Sequence, residues 1–151
     1  MLDVLKKNAL WVMVVCVAAV CAIMLFSWNK AEVVDYSSLK EEGSDNVTMH
    51  IDNCVNNSSR VMIRGWIYSD KYPKEGTLTV TLSPGDHEYV VPVKTELRRD
   101  VSTALKLNQE FERYGFSASI RKIRIPADTT DISVNIIEDG TIKKKHYACQ
   151  Q

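Results

Sequence analysis

From Val47 onward the apolar residues of this chain recur at every second position, a period that admits little besides β structure. In VTMHIDNCV, Val47, Met49 and Ile51 alternate with polar residues. Val61, Ile63, Gly65 and Ile67 share one face of the next run, with Met62, Arg64, Trp66 and Tyr68 on the other. TLTVTLS alternates through Leu78, Val80 and Leu82, and HEYVVPV supplies a strand that Pro92 should end or place at an edge. The pattern resumes in FSASIRKIRI, in DISVNIIED and, past a hairpin turn at Asp139-Gly140, in TIKKKHYAC. Seven or eight short strands in about 105 residues predict a mainly β fold, an antiparallel β-sandwich over 47–151. RRDVSTALKL breaks the period, and Asp100, placed as an N-cap, predicts one short helix over 101–107.

The N-terminal part is of another kind. Asn8 to Trp28 holds no charge in 21 residues, roughly 31 Å of helix against a hydrocarbon core of about 30 Å. Trp11 and Trp28 lie near its ends, where amphipathic rings favour a membrane interface. A cleaved signal would have a shorter apolar region closed by small residues, whereas Ile23, Met24, Leu25 and Phe26 are bulky. The expectation is therefore a transmembrane α-helix over 8–28 followed by a juxtamembrane spacer over 29–46. Lys6 and Lys7 ahead of it leave residues 1–7 in the cytoplasm and send the rest outward.

Cys16 and Cys21 lie inside that apolar run, and Cys54 and Cys149 are the two cysteines of the β region. An oxidising compartment would favour a Cys54–Cys149 disulfide, and two buried free thiols are the alternative. Zinc is not expected, because no His-rich neighbourhood accompanies them.

Three short motifs fall in order: Gly65-Trp66 late in an early strand, Arg98-Arg99-Asp100-Val101, and Gly115-Phe116 ahead of a strand. With the alternating strands around them they resemble a small Ig-like β-sandwich module of bacterial envelope and glycan-associated proteins. That module carries a Gly-Trp-Ala-like pair, an Arg-Pro-Asp-Val-like tetrapeptide and a Gly-Phe pair. The likeness covers roughly residues 47–149, with Ile67 in place of the usual Ala and Arg99 in place of the frequent Pro. It implies an accessory module rather than a reaction. Each motif also has a structural role: a bulge at Gly65 would turn Trp66 into the core, Arg98 would pair with Asp100, and Gly115 would deliver Phe116 inward. If the strand stays regular, the Trp66 ring lies under a loop or at a partner surface instead.

Formal net charge is zero, which leaves no electrostatic footprint for nucleic acid. His50, His87 and His146 fall in different strands, and neither a phosphate-cradling glycine loop nor a nucleophile elbow is present. No catalytic residue, cofactor or metal is expected, and the chain is not read as an enzyme. Trp66, Tyr68 and Tyr72 offer aromatic faces for a ligand or partner, and a saccharide is the alternative occupant. The reading that results is a single-pass protein of the bacterial inner membrane with a periplasmic domain. It would act as an accessory or regulatory subunit through contact with an integral-membrane or periplasmic protein of a larger envelope complex; the alternative is a glycan-binding module.

Overall fold

A computed structural model describes residues 2–28, 31–84, 87–107, 112–125 and 131–149. The chain divides into two compact units, Met1–Lys30 and Ala31–Gln151. The first is a helix, α1 (Leu2–Trp28). Among the described residues no helix is long and apolar enough to cross a membrane. This overturns the expected transmembrane helix over 8–28.

The second unit is mainly β. Its strands are β1 (Val33–Val34), β2 (Lys40–Glu42), β3 (Thr48–Asn56), β4 (Arg60–Tyr68), β5 (Thr77–Leu82), β6 (Glu88–Val91), β7 (Val93–Glu96), β8 (Gly115–Arg121), β9 (Asp131–Glu138) and β10 (Thr141–Ala148). Six form one sheet in the order β1-β6-β5-β9-β10-β2, and four form the other in the order β3-β4-β8-β7. The expectation of an antiparallel fold fails at one ladder: β2 pairs with β10 in parallel. Residues 33–42, expected as spacer, thus supply two edge strands of the domain.

Alternation explains the burial. Val61, Ile63 and Ile67 of β4 and Phe116, Ala118 and Ile120 of β8 turn inward from the four-stranded sheet. Leu78, Val80 and Leu82 of β5 and Ile132, Val134 and Ile136 of β9 meet them from the six-stranded sheet. Pro92 decides where the chain changes layer. It has no N–H to continue the β6 ladder; its carbonyl instead accepts from the Ser119 amide in the other sheet, 3.4 Å away, and β7 begins at once. The Asp139-Gly140 turn adopts φ of 48° and 76°, the two positive values that a tight hairpin requires.

The disulfide joins the two layers. Cys54 in β3 and Cys149, just past β10, are bonded with Cα atoms 5.5 Å apart at a sequence separation of 95. Both side chains pack against the shared core.

The segment between β1 and β2 crosses the outer face of the six-stranded sheet as a strap. Leu39 N–H donates to the Tyr36 carbonyl at 2.9 Å, closing a turn. The Tyr36 hydroxyl donates to Thr79 Oγ1 at 3.4 Å, and its ring lies 5.8 Å from Lys144 Nζ. On this face of the sheet Thr81, Ser133 and Asn135 are buried, with Asn135 Nδ2 donating to Thr81 Oγ1 at 3.0 Å. Lys144 in β10 donates to Glu88 in β6 at 2.5 Å, across β9 and β5. Three inter-strand spacings amount to about 14 Å, so this contact requires the sheet to curl toward the strap.

Candidate functional site

The three sequence motifs meet at one end of the four-stranded sheet. In register, Gly65 lies between Ile51 of β3 and Phe116 of β8, and Trp66 lies between His50 and Gly115. The bulge is in the neighbouring strand: register shifts between Ile51 and Asn53, which leaves Asp52 as the extra residue of β3. That corrects the expected bulge at Gly65, and it explains the glycine differently. The bulge drives the β3 backbone toward β4, and a Cβ at Gly65 would collide with the His50 carbonyl oxygen. Replacing Gly65 with Ala should lower stability by about 1–3 kcal/mol, read as an earlier midpoint in urea denaturation; an unchanged midpoint would show that the two strands can separate at no cost.

With β4 itself regular, Trp66 keeps the face that alternation assigns it. It is half-buried on the outer side of the sheet, not in the core as expected, and its ring stacks with His50 at a centroid distance of 6.1 Å. Phe116, by contrast, is completely buried. Its partner in the motif, Gly115, has a steric task. A Cβ there would lie 2.6 Å from Arg98 Cγ, so the missing side chain is the groove through which Arg98 crosses the sheet.

Arg98 is held at both ends of its guanidinium. Nε and Nη2 donate to Asp100 at 2.9 and 2.8 Å, and Nη1 donates to Asp52 at 2.5 Å. The hydrogen bonds it donates to Asp100 raise the Arg98 pKa further above its usual range, and Arg98 in turn holds the Asp100 carboxyl below the ordinary carboxylate value. The helix α2 spans Arg99–Ala104, with Arg98 at the cap position and no side-chain cap hydrogen bond. Asp100 is therefore a first-turn residue and not the expected N-cap, because its carboxylate is committed to Arg98. Val101 follows it into a buried position. Together these contacts tie α2, the bulge of β3 and the start of β8 into one clamp.

Tyr72 is corrected as a ligand-facing aromatic. It is only 4% exposed, its hydroxyl donates to the Arg113 carbonyl at 3.2 Å, and burial pushes its pKa up to about 12. Tyr68 is half-buried on the same outer face as Trp66 and meets Tyr114 edge-on at 5.9 Å.

The outer face of the four-stranded sheet continues past this end. Arg64 donates to Glu96 Oε2 from Nε and Nη2 at 3.1 and 2.7 Å. Beyond it Met62 pairs across strands with Val55 on one side and Ser119 on the other, and both apolar side chains are half-buried. At the far end Arg60 stands directly opposite Arg121. Sequence reading singled out neither arginine, since only the β4–β8 register brings residues 61 positions apart together. His50 and Asp52 were legible as neighbours in sequence, and their side chains do lie near each other, Nε2 to Oδ1 3.9 Å.

The strap encloses the other concavity, a cavity of about 320 Å³ lined by Val34, Tyr36, Leu39, Glu88, Ile142 and Lys144 among others. In its lining Lys144 pairs with Glu88, and the Asp35 carboxylate accepts from the Ser37 amide at 2.8 Å and is held below its usual pKa by that bond. Among the described residues no group of three His, Cys, Asp or Glu side chains could hold a metal ion. No family model, curated protein or solved structure matches this chain.

Proposed function

We propose that the β domain is an accessory or regulatory module of an extracytoplasmic assembly and acts by protein–protein contact through the outer face of its four-stranded sheet. The observation that carries this reading is Trp66. Its ring stays half-buried on the outer side of the sheet, in the company of Tyr68, Met62 and Arg64. Trp, Tyr, Met and Arg are the residue types that protein interfaces enrich, and the first two and Arg dominate their binding energy. The Cys54–Cys149 bond supports an oxidising compartment. The likeness of the motifs to the Ig-like module of bacterial envelope proteins points the same way.

A photo-crosslinker placed at Ser119, exposed on this face, should capture one partner protein in intact cells. The same group at Lys74, exposed in the loop between β4 and β5, should not. Equal capture from both positions, or none from either, would end the reading. The stacking of Trp66 on His50 favours one further occupant, a saccharide ring. In that case Trp66→Ala would abolish binding of the isolated sugar while leaving the fold intact.

A further inference from the structure

Arg60 and Arg121 are directly opposed in the β4–β8 ladder, both are exposed, and among the described residues neither guanidinium has a carboxylate partner. Like charges set directly opposite one another weaken a sheet, so this pairing costs the fold stability and returns nothing to it. Lys94, exposed and opposite Ser117, adds a third cation without a partner among the described residues. Counting Arg64, Arg98, Glu96, Asp52 and Asp100 as well, the face carries five cations of Lys and Arg against three carboxylates, a net of +2 on a chain whose formal charge is zero. The excess lies toward the Arg60 end, since Arg64 and Arg98 are already paired.

We infer that this face docks an extended acidic segment of a protein partner, with carboxylates over the Arg60–Arg121 pair and near Arg64 and an apolar side chain between them. The inference rests on the protein-contact reading above and specifies the chemistry of the partner. Its spacing follows from the strand. Arg60 and Arg64 are four residues apart on one face of β4, about 13 Å, and Met62 lies midway with Val55 beside it. An extended peptide has the same two-residue period, so an acidic residue at i meets the Arg60–Arg121 pair, one at i+4 reaches the Arg64 row, where Lys94 is the cation outside an ion pair, and residue i+2 meets Met62. The thioether of Met62 adapts to apolar side chains of different shape. An acidic glycan would satisfy the arginines and find no hydrogen-bonding partner over the Met62–Val55 patch, which favours the peptide.

The test uses the full chain and a fluorescein-labelled peptide with the sequence Glu-Ser-Leu-Ser-Glu repeated twice, followed by anisotropy. The peptide should bind, binding should weaken as salt screens the charges, and Gln in place of Glu should abolish it. Arg121→Glu should reduce affinity by about tenfold or more while raising the melting temperature, because Arg60 then faces an opposite charge. That opposed pair of effects separates a binding role from a structural one. Unchanged affinity in Arg121→Glu, or equal binding of the Gln peptide, would overturn the inference, as would binding of polygalacturonate in place of the peptide. If the peptide fails while the Ser119 crosslinker still captures a single partner, the acidic complement is wrong and the protein-contact reading stands. If the crosslinker fails as well, both fall.

Discussion

Cys149→Ser should lower the stability of the β domain by up to about 4–5 kcal/mol, the loss expected from opening a loop of roughly 100 residues in the unfolded chain. The bridge spans 95 residues and links β3 to the end of β10. Its location makes the effect large for a second reason. β3 is an edge strand, bonded through its ladder to β4 alone and interrupted there by the Asp52 bulge. The disulfide is the one covalent tie between that edge and the six-stranded sheet. Denaturation of the wild-type protein with and without reductant should give the same loss as the substitution, and Cys54→Ser should match both. A midpoint indifferent to reductant would show that the bridge constrains neither state.

Glu138→Ala should cost about 3–5 kcal/mol, the range for removing one partner of a buried ion pair. Glu138 is 3% exposed, accepts from Lys143 Nζ at 2.9 Å and from the Ser69 hydroxyl at 2.5 Å. Ser69 is itself fully buried and its oxygen accepts from the Tyr72 amide at 3.0 Å. One carboxylate thus anchors the loop between β4 and β5 to the β9–β10 hairpin. Its removal strands the Lys143 ammonium, largely enclosed, as well as the Ser69 hydroxyl. The double variant Glu138→Ala with Lys143→Met should recover much of the loss, since no unpaired charge then remains. If the double variant is as unstable as the single one, the cost lies in the loop contacts and not in the stranded charge. Thermal unfolding followed by circular dichroism distinguishes the two.

The strands of the core were legible because burial imposes a local signal. In β4 the residues assigned inward by alternation, Val61, Ile63, Gly65 and Ile67, are the buried ones. The Asp139-Gly140 turn was legible for a similar reason, since few residues adopt two successive positive φ values. β1 and β2 were not legible. Val33–Val34 is too short for a period, and Lys40, Glu41 and Glu42 are all exposed, so nothing in their composition distinguishes them from a spacer. Their place is set by backbone hydrogen bonds to β6 and β10, about 55 and 100 residues downstream. The long apolar run misled in the opposite direction. Absence of charge over 8–28 is a local property, and among the described residues no helix is long and apolar enough to cross a membrane.

The stretch around Trp66 marks the division most clearly. Sequence alone determined that Trp66 alternates away from Val61, Ile63 and Ile67, because strand geometry repeats every two residues wherever the strand goes. It also placed Arg98 beside Asp100, two positions apart. Only the tertiary structure decided that the bulge belongs to β3, that Asp52 completes the Arg98 clamp, that Tyr72 is interior, and that Arg60 faces Arg121. Those outcomes depend on the register between strands and on contacts between residues dozens of positions apart, and no local period encodes a register.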